Sequence, residues 1–366
     1  HAGIYYPPES LKAKVSVSGS KRLKKWINDN ELQINNCGKV IIPQKEYLDS
    51  QLDLLAERGK ANGAEIEFWS NSKLKEKFPQ LKSASGRALW SPNTSVVKPL
   101  EILIKLKNNL VKSGVKISTA EKNYRVNFGK KTIRKKNGEN IEFKYLFNCA
   151  GMNATEISQD CFQEMGYKVI PFKGMYWKLE GCDLSHFNTN IYPVPDLNMP
   201  FLGVHFTPSF TKKSNIVNEV FIGPTAILAF GKENYYGLEN FQLKEFIDNS
   251  GKLANLFIND LGGIRKYVKE QLFLSLKPLL IKAVKELVPS VESYNIVKSK
   301  KVGIRSQLFD MKSNKLVDDF ICINSDNATH VLNAVSPAFT ASFALADLII
   351  DRSELSKDSF INNFKM

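Results

Sequence analysis

The sequence predicts a mixed α/β protein in which a doubly wound domain accompanies a second domain built on a mixed antiparallel sheet. Three observations predict this class. The chain has 366 residues, 43% of them hydrophobic, which supports about two domains with buried cores. Helical and strand-like patterns alternate as far as Gly151, which is the order of a doubly wound domain. Strand-like alternation dominates residues 167–223 and predicts an extended sheet.

The spacing of apolar residues predicts the first elements. Residues 10–28 follow a helical period, which Gly19 weakens in the middle. Residues 37–43 form an apolar run that ends at a proline and predicts a strand. Residues 45–62 repeat apolar side chains every three or four positions, and residues 71–78 do so over a shorter span, so both are predicted helices.

The next elements lead to a turn of small residues. Residues 99–113 predict a helix that ends at Gly114, and residues 115–117 predict a strand after it. A meander follows over residues 125–145, and its last strand runs into Ala150 and Gly151. Farther on, residues 242–288 follow mostly helical patterns and predict helices. Residues 297–308 predict a strand, and residues 320–351 predict two strands followed by a helix.

Bulk composition excludes several classes of protein. No apolar run reaches the roughly 18 residues that a membrane span needs. The five cysteines (Cys37, Cys149, Cys161, Cys182 and Cys322) have no metal-ligand spacing, which predicts a reducing compartment and no metal site. The net charge of +14 is spread along the chain without interleaved aromatic residues. We therefore expect a lysine-rich surface that attracts an anionic substrate or touches acidic lipid, and no nucleic-acid partner.

The turn at Ala150 and Gly151 is a candidate nucleotide site. It joins an apolar strand to a predicted helix, and small residues let backbone amides approach a ligand closely. A helix N-terminus favours a negative group such as a pyrophosphate. The alternative, tight packing of the strand against the helix, explains the same residues equally well.

A second candidate site lies at the start of the last helix. Ser336 is predicted to cap this helix and Pro337 to occupy its first position, with the small Ala338 next. A slim helix N-terminus suits the electron-poor edge of a flavin ring. A buried C-terminal helix is the alternative interpretation.

Ten segments, in the same order along nearly the whole chain, resemble the FAD-dependent L-2-hydroxyglutarate dehydrogenase/oxidase family of the glycine oxidase/D-amino acid oxidase superfamily. They are His-Ala-Gly-Ile-Tyr-Tyr (1–6), Ser-Leu-Lys-Ala-Lys (10–14), Cys-Gly-Lys-Val-Ile (37–41), Asn-Cys-Ala-Gly-Met (148–152), Pro-Phe-Lys-Gly (171–174), Ile-Tyr-Pro-Val-Pro (191–195), Phe-Leu-Gly-Val-His (201–205), Ile-Gly-Pro (222–224), Leu-Val-Asp-Asp-Phe (316–320) and His-Val-Leu-Asn-Ala (330–334).

The resemblance implies a discontinuous, Rossmann-like FAD-binding domain beside a substrate domain. The implied FAD-binding domain comprises residues 1–35, 96–165 and 301–366, and the substrate domain residues 36–95 and 166–300. In the family a strand and a Gly-x-Gly-x-x-Gly turn precede the His-Ala-Gly segment. Because this chain starts at His1, we expect an N-terminally truncated FAD-binding domain. A non-catalytic fragment unable to hold FAD is therefore one alternative.

The resemblance also implies a reaction, the oxidation of L-2-hydroxyglutarate or a close 2-hydroxy acid by hydride transfer to flavin. His205 would be the base and Arg305 the carboxylate anchor, since an arginine in an apolar strand is costly unless it is paired. Tyr176 and Tyr192 would bind substrate. The alternatives are core packing for His205 and both tyrosines, and for Arg305 an ion pair with Asp310 or Asp318.

The remaining expectations concern the cofactor and the partners. His1, Ala2 and Gly3 would lie beside the isoalloxazine, while Ala150, Gly151, Ser336, Pro337 and Ala338 would bind FAD elsewhere. A quinone-like compound or oxygen would accept the electrons. The expected location is cytoplasmic or peripheral on the inner membrane, mitochondrial in a eukaryote. A related amino-acid or glycerol-phosphate oxidoreductase is the enzymatic alternative.

Overall fold

The computed structural model describes residues 1–121, 124–162, 165–180, 183–195, 203–211, 216–260 and 264–356. Of the residues singled out from the sequence, Cys182, Phe201 and Leu202 lie outside the described residues. No helix of the described part is both long and apolar enough to cross a membrane.

The helices follow the apolar periodicity of the sequence. The helix predicted over residues 45–62 begins with a short 3₁₀ turn and then buries Leu52, Leu55, Ala56 and Gly59 along one face. The α-helices are α1 (Leu11–Asp29), α2 (Asp49–Ala61), α3 (Asn71–Lys77), α4 (Pro99–Lys112), α5 (Ala154–Ser158), α6 (Leu243–Ile258), α7 (Ile264–Leu274), α8 (Lys277–Lys285) and α9 (Ala338–Arg352).

The strands contain both long, bent ribbons and very short pairing segments. They are β1 (Ile34–Asn35), β2 (Lys39–Ile42), β3 (Glu67–Ser70), β4 (Arg87–Ser91), β5 (Val96–Val97), β6 (Arg125–Asn127), β7 (Thr132–Arg134), β8 (Asn140–Glu142), β9 (Leu146–Asn148), β10 (Tyr167–Glu180), β11 (Asn190–Pro193), β12 (His205–Phe210), β13 (Val217–Gly223), β14 (Ile227–Leu228), β15 (Asn295–Asp310), β16 (Lys315–Leu316), β17 (Ile321–Ser325) and β18 (Ala328–Asn333).

The chain divides into two compact units, each made of three separate stretches. The first 17 residues belong with the large sheet, whereas the sequence analysis assigned residues 1–35 to the cofactor domain. The first unit is His1–Val17, Gln33–Val97 and Ile170–Arg305, and the second is Ser18–Leu32, Lys98–Val169 and Ser306–Met366.

The first unit is built on a large mixed sheet. Its strands run in the order β15, β10, β13, β12, β11, β2, β4, β3, and β14 pairs with β10. The β11 and β2 pair is parallel, whereas β12 pairs antiparallel with β11 and β13. The mixed sheet predicted from the sequence is therefore confirmed.

One row of paired residues crosses this sheet and carries the main core. Val40 pairs with Ile191, Ile191 with Phe206, Phe206 with Ile222, and Ile222 with Trp177. All five side chains are buried in one hydrophobic cluster. Alternation along each strand sends the residues before and after them to the opposite face of the sheet.

The second unit contains two small sheets and the last helix. In one sheet, β18 pairs parallel with β9 and antiparallel with β17. In the other, β6, β7 and β8 form the meander that the sequence predicted. Ala154, Val169, Leu308 and Leu332 form the centre of a core in this unit.

One predicted element is wrong. Residues 115–117 have no strand pairing, and Val115 and Ile117 are exposed. Their short apolar alternation predicts a strand. A strand forms only where a neighbouring strand can hydrogen-bond its backbone N–H and C=O groups, and no described strand pairs with these residues.

Candidate active site

The side chains expected to act on substrate lie on one face of the large sheet. Tyr176, Tyr192 and His205 each adjoin a residue of the core row and so point away from the core. The ammonium of Lys301 on β15 lies 4.7 Å from the centre of the Tyr176 ring. Arg305, four residues along the same strand, shares that face. We call this surface the site face.

His205 is held by a ring stack and a hydrogen bond. Its imidazole stacks on Tyr192, with ring centres 3.9 Å apart and planes inclined by 18°. Its Nδ1 lies 2.9 Å from the carbonyl oxygen of Gly203. Since a carbonyl only accepts hydrogen bonds, Nδ1 donates and carries the proton. The Nε2 atom is therefore the one with a lone pair to accept a proton.

The charge state of His205 follows from its surroundings. Burial lowers its pKa to about 4, and the positive charges of Lys39 and Lys301 act in the same direction against the hydrogen bond to Gly203. The imidazole is therefore neutral at neutral pH. A neutral imidazole with a lone pair on Nε2 is able to act as a general base.

Lys39 is a buried cation at the other side of the same cluster. It precedes Val40 of the core row, so its side chain belongs to the site face, and only 2% of the residue is exposed. Its Nζ lies 4.2 Å from the centre of the Tyr192 ring and 5.2 Å from that of Tyr5. Burial lowers the pKa of Lys39 to about 7, and the Cys37 thiol acts weakly in the opposite direction.

Lys301 covers the aromatic part of the site face. Its Nζ lies 4.4 Å from the centre of the Phe221 ring, in addition to its contact with Tyr176. Burial lowers the pKa of Lys301, and the nearby Glu219 opposes this effect. Burial raises the pKa of Tyr176, so its hydroxyl remains a neutral donor.

Arg305 is half-buried on β15 and acts electrostatically on the N-terminal segment. Its charge lowers the pKa of Tyr6, whose pKa is nevertheless raised overall by burial. Asp310 and Asp318, the alternative ion-pair partners, belong to the second unit. The carboxylate of Asp310 accepts a hydrogen bond from the Ser313 hydroxyl at 2.8 Å within its own turn.

A glycine leaves space beside His205. Gly223 pairs with His205 and has a φ of +135°, which only glycine adopts readily. A Cβ at this position would lie 3.0 Å from the carbonyl oxygen of Met175 and 3.4 Å from the Tyr176 ring. The site face therefore has no side chain between Tyr176 and His205, where a ligand needs room.

The N-terminal segment belongs to the same unit. His1 is exposed, and Ala2 packs against the apolar cluster that includes Tyr192. Gly3 has a φ of +80°, and a Cβ there would lie 2.6 Å from a methyl group of Val17. The Asn62 side-chain amide donates to the Gly3 carbonyl at 2.8 Å. The position of Gly3 is thus fixed by contacts on two sides.

The turn at Ala150 and Gly151 lies in the second unit, at the end of β9. Gly151 has a φ of +57°, and within the described part of the chain no atom lies within 4 Å of the position that a Cβ would take. Ala150 lines an apolar pocket of ≈ 400 Å³ together with Phe147 and Cys149. The predicted helix after the turn is corrected to a 3₁₀ turn followed by the five-residue α5. The turn is open, but α5 is too short to supply a strong helix dipole.

The start of α9 differs from the sequence prediction. Ser336 is exposed and precedes the cap, which is Pro337 rather than Ser336. The Pro337 carbonyl accepts the first helical hydrogen bond, from the Ala341 amide at 3.0 Å, which is what makes Pro337 the N-cap. No side chain caps the helix, and the half-buried Ala338 begins it.

The sequence missed two cations of the site face. Lys39 belongs to the segment Cys-Gly-Lys-Val-Ile (37–41), which carried part of the family resemblance, but it was given no role at the site. A lysine at the start of the strand Lys-Val-Ile-Ile is as unusual as an arginine in an apolar strand. Lys301 lies four residues before Arg305 on β15. Because side chains alternate between the two faces of a strand, this spacing places Lys301 on the same face as Arg305. Among the described residues, no group of three His, Cys, Asp or Glu side chains could hold a metal ion.

Comparison with protein families gives a match over almost the whole chain. The family described as FAD dependent oxidoreductase, DAO, matches residues 1–352. The L-2-hydroxyglutarate dehydrogenase of Dictyostelium discoideum, named as mitochondrial, is 31% identical, with 100% of this chain and 82% of that protein covered. That of Salmonella houtenae is 30% identical, with 99% and 83% covered.

Solved structures show a similar fold. The FAD-bound L-α-glycerophosphate oxidase from Mycoplasma pneumoniae superimposes with a TM-score of 0.68 at 19% identity, covering 96% of this chain and 82% of that one. At this identity the similarity supports the fold.

Proposed function

The chain belongs to the DAO family of FAD-dependent oxidoreductases, and on that premise we propose that it oxidises L-2-hydroxyglutarate, or a closely related 2-hydroxy acid, to the 2-oxo acid. It is an FAD-dependent dehydrogenase by its family and its relatives. The observation that carries the proposal is the site face, on which a neutral His205 lies among basic and phenolic side chains.

The proposal places FAD against the residues that the sequence expects at the cofactor. Bound FAD supplies the acceptor for the two electrons and the hydrogen that leave the substrate carbon. The open Gly151 turn beside an apolar pocket, and the uncapped start of α9 at Ala338, support contacts with FAD in the second unit. Ser336 and Pro337 flank that helix start. His1, Ala2 and Gly3 are our proposal for the contacts of the first unit.

His205 is the proposed base. Its Nε2 accepts the proton of the substrate hydroxyl, while the bond from Nδ1 to Gly203 keeps the imidazole oriented. The stack on Tyr192 restricts rotation of the ring. Removing the hydroxyl proton raises the electron density on the substrate carbon and so favours departure of its hydrogen.

Arg305 is the proposed anchor for the carboxylate next to the reacting carbon. A planar guanidinium binds a carboxylate through two parallel hydrogen bonds, which fixes orientation as well as charge. Tyr176 and Tyr192 remain neutral because burial raises the pKa of each, so their hydroxyls are available as donors to substrate oxygens. Binding of this kind aligns the hydroxyl with His205.

The proposal also assigns roles to the two parts of the chain. As the sequence predicts, we assign FAD binding to residues 1–35, 96–165 and 301–366, and substrate binding to residues 36–95 and 166–300. A quinone-like compound or oxygen then accepts the electrons. The mitochondrial names of several relatives support a mitochondrial location in a eukaryote, and peripheral contact with the inner membrane is part of the proposal.

Anaerobic reduction of the FAD-loaded protein tests the substrate. L-2-hydroxyglutarate is expected to bleach the flavin absorbance, and D-2-hydroxyglutarate, glycine, L-proline and glycerol 3-phosphate are not. Bleaching by an amino acid or by glycerol 3-phosphate alone would assign the chain to a different reaction of the same family. A protein that binds FAD but is bleached by none of the panel would refute the proposed substrate class.

A further inference from the structure

Lys39 is a buried positive charge that the reaction above does not use. It lies on β2 with 2% of the residue exposed. Among the described residues, no carboxylate lies within ion-pair distance of its ammonium group, whose neighbours are two aromatic rings. Burying an ammonium group is costly unless an anion and hydrogen bonds compensate it. A cation kept in such a position indicates a negative ligand.

A second polar group beside Lys39 also lacks a partner. The Tyr5 hydroxyl is buried and makes no hydrogen bond within the described part of the chain. The Tyr5 ring lies under the Lys39 ammonium, 5.2 Å from its Nζ. One anion between them would compensate the charge and accept both groups' hydrogen bonds.

The strand order separates Lys39 from Arg305. His205 lies on β12, Lys39 on β2 to one side of it and Arg305 on β15 to the other. A 2-hydroxy dicarboxylic acid has its two carboxylates on either side of the carbon that is oxidised. Across the sheet, the order Arg305, His205, Lys39 is the order of the first carboxylate, the oxidised carbon and the second carboxylate in that substrate.

We propose that Lys39, assisted by the Tyr5 hydroxyl, binds the second carboxylate of a dicarboxylic 2-hydroxy acid and so determines the preference for dicarboxylates. This inference rests on the proposed function. Lys301 is not assigned this role, because its residue is exposed and its charge already interacts with Glu219.

A comparison of two substrates tests the role of Lys39. L-2-hydroxypentanoate has the same chain length as L-2-hydroxyglutarate but lacks the second carboxylate. In Lys39→Met, the ratio of kcat/KM for hydroxyglutarate to that for hydroxypentanoate is expected to fall at least 100-fold. The matched control is Lys298→Met, which removes a β15 lysine that lies 5.7 Å from the Trp177 ring on the core side of the sheet. An unchanged ratio in Lys39→Met contradicts the proposal.

A binding measurement gives a readout that does not depend on turnover. Glutarate carries both carboxylates but has no hydroxyl group to oxidise. Calorimetry of the FAD-loaded protein is expected to show glutarate binding at least 100-fold tighter in the wild type than in Lys39→Met. If none of the hydroxy acids is oxidised but this difference holds, the reaction is wrong and the anion site stands. Equal affinity in both proteins overturns the site.

Proton uptake identifies the group that titrates. Lys39 is mostly neutral at pH 8 and becomes protonated beside a bound carboxylate, so glutarate binding should take up protons in the wild type. The other groups facing it, Tyr5, Tyr192 and His205, are neutral at that pH. Lys301→Met should retain the uptake, and Lys39→Met should lose it. Uptake that persists in Lys39→Met contradicts the assignment.

Discussion

At the scale of single residues, a charged side chain within an apolar strand is the signal that indicates a candidate site residue. The sequence analysis applied this criterion to Arg305 but not to Lys39. Arg305 is indicated by a charged group inside an apolar strand, and His205 by the ordinary pKa of histidine together with the family resemblance. Lys39 satisfies the same criterion, since all four residues of β2 are buried. What the sequence could not give is the register that brings Tyr192 against His205, because pairing between distant strands depends on the whole sheet.

His205 provides a prediction about pH. Because burial lowers its pKa to about 4, His205, the proposed base, is already deprotonated at pH 6 in the free enzyme. The acid limb of kcat/KM should therefore lie near pH 4 rather than near 6.5, the ordinary value for histidine. His205→Gln should slow flavin reduction by about 10² to 10⁴. Stopped-flow absorbance under anaerobic conditions measures both effects.

The control for this experiment is a second histidine of the same unit. His186 is exposed, and its Nε2 lies 3.8 Å from a carboxylate oxygen of Asp183. His186→Gln should reduce its flavin at the wild-type rate across the same pH range. An acid limb near pH 6.5, or rapid flavin reduction in a folded His205→Gln protein, would remove His205 from the role of base.

Arg305 provides a prediction about binding. Arg305→Ala removes a half-buried guanidinium and leaves the substrate carboxylate without its partner, which should weaken binding by about 2 to 5 kcal/mol. Arg305→Lys keeps the charge but loses the planar pair of donors, so its KM should lie between that of the wild type and that of Arg305→Ala. Titration with the 2-oxo acid product measures affinity directly. Wild-type affinity in Arg305→Ala would show that the carboxylate binds elsewhere.

At the scale of elements, helices were predicted well and their ends less well. The period over residues 10–28 predicted α1 despite Gly19, and the whole 19-residue helix forms. The cap of α9 was wrong by one residue, because Ser336 had the right chemistry but the Pro337 carbonyl makes the first helical bond. Caps depend on local backbone geometry that residue type alone does not determine.

Close packing against α9 explains why α1 has a glycine, Gly19, in its middle. A Cβ there would lie 2.6 Å from the Cα of Ala341 in α9, so the two helices of the second unit approach at their backbones. Gly19→Ala should lower the melting temperature, because the overlap, costing about 1 to 3 kcal/mol, outweighs a gain of up to about 1 kcal/mol in helix propensity.

Gly251 of α6 is the matched control, since no atom of the described residues lies within 4 Å of its Cβ position. Gly251→Ala should leave the melting temperature unchanged or raise it. Differential scanning calorimetry of both FAD-loaded variants separates the two effects. Equal shifts in the two proteins would mean that close helix packing is not the reason for Gly19.

At the scale of the whole molecule, each of the two compact units combines three separate stretches of chain, and their bounds differ from those of the two predicted domains. The sequence grouped residues 1–35 with the cofactor domain. The structure places the first 17 in the first unit, where Arg58 donates to the Tyr5 carbonyl at 3.0 Å and Asn62 donates to the Tyr6 carbonyl. Such contacts join segments that are 50 or more residues apart, which composition along the chain does not reveal.

The net charge of +14 affects how the whole molecule meets its substrate. A positive protein attracts a dianion over about 30 Å at 0.01 M salt but only about 10 Å at 0.1 M. The kcat/KM for L-2-hydroxyglutarate should therefore fall several-fold between about 0.01 and 0.3 M potassium chloride. L-2-hydroxypentanoate has one charge and should show roughly half that slope on a logarithmic scale. Equal slopes for the two acids, or a kcat/KM for the dianion that does not change with salt, would mean that long-range attraction by the protein's charge does not contribute.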